Sequence, residues 1–346
     1  MQTCVIGLGN IGSQLLKDLI RNNINSVGVD INPQLVASLQ AEGYTVSTKV
    51  DDFKSSDVWL ISISTGPNME QLFQLIKELQ PKQGSLISIE STVIPGTMNT
   101  LANWFQSLHY TIGQDLFLIH VPHRINFGID QSVFDSARVI AGLTNPCLQT
   151  GLAFYKTLVP YLVPVSDIRL AELSKIVENS IRHLNIALAE ILSQYCLEEG
   201  LDFNELRSAV NSKGNVSLLD IDYGIGGECL NKDMQFLTAI TNAPLLESAL
   251  ETDAVYRDQL YNLLKAESGV LIKGVTYKPD LKNLNFSCGI ELYQKLNAYG
   301  TPVYVTDPMY TAEELADLGL RPWKDEEISK VIYRGKISEL TKALKN

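Results

Sequence analysis

The sequence predicts an α/β protein: a doubly wound parallel sheet at the N-terminus, one long central helix, and a smaller α/β unit at the C-terminus. Three observations carry this. Short apolar runs alternate with helical patterns through the first half, which is the order of a parallel sheet covered by helices. Near residue 166 the alternation gives way to a continuous helical stretch. From Gly269 strand-like runs return.

Taken in order, TCVIGLG, SVGVD, DVWLISIS, SLISIES, LFLIHVP and ARVIAGL read as strands, several apolar on both faces, with helix-like segments such as MEQLFQLIKELQ between them. The first turn holds Gly7, Gly9, Asn10, Ile11 and Gly12 in the stretch GLGNIG. G-x-G-x-x-G spacing after a strand and before a helix lets the backbone turn tightly and brings a pyrophosphate to the helix N-terminus, so this unit is Rossmann-type. Asp30 ends the next strand, where a carboxylate accepts from a ribose 2′-hydroxyl and repels a 2′-phosphate. NAD rather than NADP is therefore the expected cofactor, against the alternative of a glycine turn with no ligand. The helix from Leu170 to Gly200 carries an apolar stripe at Leu173, Val177, Leu184, Leu188 and Ile191. GVLIKGV and TPVYVTD then read as strands and ISELTKALKN as a terminal helix. The expected domains are 1–165 (NAD-binding), 166–267 (a central helical region with the loop that carries Cys229) and 268–346 (a short C-terminal α/β unit).

Composition narrows the function classes. The 346 residues carry 28 basic and 39 acidic side chains, a net charge of −11 that opposes a nucleic-acid polymer or an anionic membrane as partner. No apolar run approaches membrane-spanning length and no signal-peptide character is present, so a cytoplasmic protein is expected. Cys4, Cys147, Cys196, Cys229 and Cys288 are widely spaced and odd in number, which gives reduced thiols and no metal-ligating pattern.

Two further constellations carry chemistry. Glu172, Lys175 and Asn179 share one helix face, either as an ordinary solvated surface or with Lys175 and Asn179 directed at one oxygen as an oxyanion site. In GIGGECLNKD, Gly224, Gly226 and Gly227 permit close approach of backbone to a ligand before Cys229. A helix starting there favours the thiolate, whereas a lone cysteine is otherwise a small buried hydrophobe. Asp233, one turn on, suits a base that activates water.

Together these residues resemble the UDP-glucose/GDP-mannose dehydrogenases, which oxidise the C6 alcohol of a nucleotide sugar to a carboxylate with two NAD. The resemblance rests on GLGNIG with Asp30, STVIPGT at Ser91 to Thr97, AELSKIVEN at Ala171 to Asn179, GIGGECLNKD, and the pair GVTYKPD and VTDP. It implies that Cys229 captures the aldehyde and carries the thioester, that Lys175 and Asn179 stabilise the oxyanion, and that Asp233 and Thr92 position water. It also places Thr65 and Thr92 at the cofactor, Gly226, Gly227, Lys175 and Lys278 at a nucleotide-sugar substrate, and the long helix in a homodimer. Three positions depart from the family. His123, in VPHRINFG, stands where the family has a glutamate, either as a substitute base or as a hydrogen-bonded loop residue. Asn285 replaces an arginine, and Glu90 replaces a lysine before Ser-Thr-Val. The stretch after Pro308 is also shorter than the family's third domain, which suggests a lid that is cut short or borrowed from a partner.

Overall fold

The computed structural model describes residues 1–66, 68–125 and 132–338. The chain divides into two compact units, 1–176 and 177–346.

The first unit is an eight-stranded sheet: β1 (Thr3–Ile6), β2 (Ser26–Val29), β3 (Val46–Ser47), β4 (Val58–Ile61), β5 (Ser85–Ile89), β6 (Leu116–His120), β7 (Arg138–Gly142) and β8 (Leu162–Pro164). Their order is β3-β2-β1-β4-β5-β6-β7-β8, with β1 to β6 in the doubly wound Rossmann arrangement. Helices α1 (Asn10–Arg21), α2 (Pro33–Ala41), α3 (Glu70–Glu78), α4 (Thr97–Ser107) and α5 (Asn145–Tyr155) connect the strands. The sequence suggests a wholly parallel sheet, but β7 runs antiparallel to β6, with Ile119 opposite Gly142 and His120 opposite Ala141. The two short strands β3 and β8 escape the apolar-run criterion because each is only two or three residues long. Leu15, Leu16 and Leu19 of α1 are fully buried against the sheet, each contributing on the order of 2 kcal/mol of apolar burial.

The long helix α6 spans Ile168–Glu198, starting and ending two residues before the expected limits. Its inner face is not the expected stripe. Ala171, Ile176, Ala187, Ala189 and Cys196 are buried, whereas Leu188 and Ile191 are half exposed, because the helix packs through small residues and buried polar groups. Glu172 also departs from a solvated-face reading. It is fully buried, and its carboxylate accepts the Gly96 and Met98 backbone N–H groups at 2.7 Å each, holding the turn that starts α4. Burial pushes its carboxyl up to about 7, against the pull of those donors.

The second unit continues with α7 (Phe203–Asn211), α8 (Glu228–Thr241) and α9 (Pro244–Leu264). A four-stranded sheet follows, ordered β10 (Val303–Thr306), β9 (Val270–Lys273), β11 (Lys330–Tyr333), β12 (Lys336–Ser338). α10 (Cys288–Tyr299) and α11 (Ala312–Asp317) complete it, around a core of Tyr223, Tyr256, Ile272, Leu296, Val305 and Ile332. The expected terminal helix ISELTKALKN is corrected in part: Ile337 and Ser338 belong to β12, paired antiparallel with β11, and residues 339–346 lie outside the described residues. Among the described residues no helix is long and apolar enough to cross a membrane, and none of the five cysteines is joined in a disulfide.

Glu172→Ala should lower the unfolding free energy by about 3 kcal/mol, since it strands two buried N–H donors, and Glu172→Gln, which keeps one acceptor, by roughly half as much. Denaturant unfolding monitored by circular dichroism measures both.

Candidate active site

The glycine turn is built for close approach. Gly7 has φ +87°, and a Cβ there would meet Ser62 O at 2.4 Å. A Cβ on Gly12 would lie 1.7 Å from Gly7 O, so helix and turn touch backbone to backbone. Gly9 caps α1 with no side-chain hydrogen bond and open space where a Cβ would be, which leaves the first-turn N–H groups of Asn10, Ile11 and Gly12 directed outward. Asp30 has a further role that its spacing does not reveal: Oδ2 accepts Leu8 N–H at 2.6 Å and Oδ1 accepts Asn32 N–H at 2.8 Å, fixing the glycine turn. Each oxygen retains a lone pair for a ribose hydroxyl, so the residues fit a dinucleotide.

At the carboxyl ends of β4, β5 and β6 the loops are tied together. Ser91 Oγ accepts Ile63 N–H at 2.9 Å and donates to Ile63 O at 2.7 Å, and Thr65 donates its hydroxyl to Thr92 O at 2.6 Å. Thr65 is buried and Thr92 half-buried. Beneath them Glu90, almost fully buried, accepts from Arg138, Tyr155 and Ser88, and lies 3.1 Å from His123 Nε2. His123 is thus a buried residue facing a carboxylate. Burial, then Arg138 and Lys175, hold its imidazole well below the ordinary range, in the neutral form.

In the second unit, α8 begins at Glu228 with Gly227 as its N-cap, which puts Cys229, exposed, in the first turn. The preceding loop is held at both sides of one residue. Ile225 N–H donates to Asp253 Oδ1 at 2.6 Å, and Ile225 O accepts from Asn231 Nδ2 at 2.8 Å. His183 Nε2 meets Asn231 Oδ1 at 3.1 Å, Arg257 bridges Asp253 and Glu291, and Gly227 N–H donates to Phe286 O. Gly227 has φ +84°, and a Cβ there would strike the Tyr277 ring at 2.5 Å, so the TYKPD segment with Lys278 abuts the cysteine loop. Asp233 is buried and accepts from Asn179 Nδ2 at 2.6 Å, joining two of the residues selected from sequence. Lys175 lies one turn before Asn179 on α6. An open cavity of about 420 Å³ adjoins the loop, lined by Gly226, Gly227, Arg257, Asn285 and Phe286. Asn285, noted for replacing an arginine, is therefore exposed at a cavity.

Residues 169–255 match the central domain of the UDP-glucose/GDP-mannose dehydrogenase family, and the surrounding chain matches relatives of that family nearly end to end. Over most of its length the chain is thus similar to the UDP-glucose/GDP-mannose dehydrogenases, and residues 169–255 carry that family's central domain. It is accordingly an oxidoreductase, and dehydrogenases of this kind use NAD. It is 26% identical over 355 residues to a UDP-N-acetyl-D-mannosamine dehydrogenase of Campylobacter jejuni, covering 89% of this chain and 86% of that one. It is 27% identical over 334 residues to an NDP-N-acetyl-D-galactosaminuronic acid dehydrogenase of Ralstonia solanacearum, covering 84% and 79%. A solved UDP-N-acetyl-mannosamine dehydrogenase from S. aureus superposes with TM-score 0.81 at 26% identity over 96% of this chain and 88% of that one. Residues 3–60 also match a TrkA-N domain.

The residues that sequence reasoning passed over are the supports: Asn231, His183, Asp253 and Arg257 around the cysteine loop, and Arg138 and Tyr155 around Glu90. Each lies away from the motif it serves in sequence, and only the fold joins them. Glu190, fully buried on α6, belongs to the same group; burial, then the Asp253 charge, pushes its carboxyl up to about 9. The folded protein holds a proton there that the unfolded chain releases above about pH 4.5. Stability from this group is therefore complete below that pH and declines towards about pH 9, by about 1.4 kcal/mol per pH unit. Glu190→Gln should flatten this slope and raise the Tm at about pH 8 more than at about pH 5, as thermal unfolding across pH would show.

Proposed function

We propose that this chain is an NAD-dependent nucleotide-sugar 6-dehydrogenase that converts the C6 alcohol of a UDP-linked 2-acetamido hexose to the carboxylate through a covalent intermediate on Cys229. The observation that carries this reading is the pinned glycine loop that presents an exposed cysteine in the first turn of α8, with Asp233 one turn on and bonded to Asn179. The acetamido sugar follows from the relatives, which are named for N-acetylmannosamine and N-acetylgalactosaminuronic acid substrates or products.

The bound dinucleotide supplies a hydride acceptor. Gly7, Gly9, Asn10, Ile11 and Gly12 hold its pyrophosphate, Asp30 its ribose, and Thr65 and Thr92 line its path. Cys229, as thiolate, adds to the C6 aldehyde that the first oxidation leaves, giving a thiohemiacetal. Lys175 and Asn179 stabilise its oxyanion. A second oxidation leaves a thioester, and water held by Asp233 and Thr92 releases the acid. Gly226, Gly227 and Lys278 bind the nucleotide sugar. A three-part division at residues 165 and 267 and a homodimer formed through α6 remain part of this proposal; half-exposed Ile181, Leu188, Ile191 and Tyr195 on that helix support the dimer.

Asn285 in place of the family arginine favours a second reading, a two-electron dehydrogenase or reductase on a related sugar. Product stoichiometry separates the two. With UDP-N-acetylhexosamines, two reduced cofactors should appear per uronic acid formed, whereas one per aldehyde or ketone contradicts the four-electron reading. NADP should be a poor substitute, and equal use of NADP would contradict the role given to Asp30. Cys229→Ser should retain NAD binding and lose acid formation by at least about 100-fold, because an alkoxide forms less readily than a thiolate. Sedimentation should show a dimer; a monomer at all concentrations contradicts the assembly.

A further inference from the structure

The loop that leads into α8 has three successive peptide groups, each under its own hydrogen bond. The Gly224–Ile225 peptide donates Ile225 N–H to Asp253 Oδ1 at 2.6 Å, the Ile225–Gly226 peptide accepts at Ile225 O from Asn231 Nδ2 at 2.8 Å, and the Gly226–Gly227 peptide donates Gly227 N–H to Phe286 O at 3.0 Å. α8 begins at the next residue, and Cys229 is its second. Both ends of the run need glycine: Gly224 has φ +124° and a Cβ there would lie 2.5 Å from the Arg257 side chain, while Gly227 has φ +84° and lies against Tyr277. The same glycines leave the peptide planes free to turn in an unrestrained chain, so the partners choose the path. One partner is held at a cost. Phe286 stands at φ +59°, a left-handed conformation that a bulky side chain seldom adopts, with its ring exposed.

The middle bond depends on a residue from another helix. Asn231 stands on α8, two positions after Cys229, and reaches back six positions to Ile225. A carbonyl oxygen only accepts, so the amide nitrogen faces Ile225 and the amide oxygen faces the His183 ring, 3.1 Å from Nε2. Nε2 therefore carries a proton and donates it to the amide. His183 is fully buried on α6, and burial holds its imidazole below the ordinary range. Donation thus runs from His183 to Asn231 to Ile225, while Asp253, 3.1 Å from Arg257, closes the other side of the same residue. His183, Asn231, Asp253, Arg257 and the loop all belong to the second unit.

We propose that His183 and Asn231 are positioning residues for the nucleophile: through Ile225 they fix the glycine path before α8, and so the place from which the Cys229 sulfur adds to the aldehyde. This rests on the thioester reading above. The first oxidation does not use the cysteine, since the C6 hydride passes to the nicotinamide and the hydroxyl proton is lost to solvent. The thiolate then forms a bond to the aldehyde carbon, and the carbonyl pair moves to oxygen and takes up a proton. Only this thiohemiacetal gives up the second hydride to a second NAD, losing its hydroxyl proton and leaving the thioester. Loss of the relay therefore separates the two oxidations: the first continues, and the aldehyde waits for a sulfur that is out of place.

The test uses the full-length protein with NAD and a UDP-N-acetylhexosamine, with semicarbazide present to trap free aldehyde. Asn231→Asp keeps the acceptor for His183 but sets a carboxylate oxygen against Ile225 O, and Asn231→Ala removes both bonds. Each should leave the first reduction within about threefold and slow the second by about 10²-fold, so that reduced cofactor per sugar consumed falls from two towards one and trapped aldehyde accumulates. His183→Leu should act in the same direction by about 10-fold, and His183→Gln, which retains a side-chain N–H donor, should restore most of the second reduction. A residue kept for stability alone would lower both reductions together, so an unchanged ratio in Asn231→Asp and His183→Leu overturns the proposal. Hydrogen exchange of the unliganded protein gives a readout independent of turnover: residues 224–228 should exchange about 10-fold faster in Asn231→Ala and near the unmodified rate in His183→Gln. Unchanged exchange in Asn231→Ala overturns the relay. An unmodified protein that forms no acid contradicts the functional reading and the positioning role with it, whereas acid formation by the unmodified protein with an unchanged ratio in the variants overturns the positioning role alone.

Discussion

A carboxylate withdrawn from water must be met by donors or give up its charge, and this constraint shapes the loops of both units. Glu172 accepts the N–H groups that open α4, Asp253 accepts the N–H of Ile225, Asp233 accepts from Asn179, and Glu90 is enclosed by Arg138, Tyr155, Ser88 and His123. In each case a side chain on a helix or strand end fixes a segment that carries residues of the proposed reaction. Glu190, given no such set of donors, takes the other course and keeps its proton. The cysteine loop shows what the constraint achieves: its glycines supply conformations that other residues adopt only with strain, and Asp253 and Asn231 select one of them.

The parallel sheet and the dinucleotide turn were legible because they follow from local rules. Alternation of apolar runs and helical patterns identifies a sheet covered by helices, and the Gly7, Gly9, Gly12 spacing with Asp30 needs nothing outside one strand–helix–strand segment. The reversal at β7 was not legible, since a strand's direction depends on its connection and not on its own composition. Strand β3 is two residues long and carries no periodicity to read. The stripe on α6 misled for a related reason: Leu188 and Ile191 satisfy helical spacing but stand half exposed, while Glu172, His183 and Glu190 are inside. Polar burial depends on distant partners.

The candidate site was legible in its reactive residues and not in its supports. Cys229, Asp233, Lys175 and Asn179 lie in compact motifs with recognisable chemistry. Their neighbours come from elsewhere in the chain: Asp253 lies 28 positions from the Ile225 N–H it accepts, and Arg138 lies 48 positions from Glu90. His123 and Glu90, read as two separate departures, become one feature once β5 and β6 are side by side. An exchange of charge at two contacting positions preserves a polar pair while reversing which side carries the negative charge.

The central claim is that acid formation passes through a bond to Cys229. Peptide mapping by mass spectrometry of the unmodified protein, acid-quenched during turnover with NAD and a UDP-N-acetylhexosamine, tests it most directly. The account predicts a sugar-acyl mass on the peptide containing Cys229 and on no peptide containing Cys4, Cys147, Cys196 or Cys288. Acid production at full rate with every cysteine peptide unmodified, and undiminished in Cys229→Ser, would contradict it.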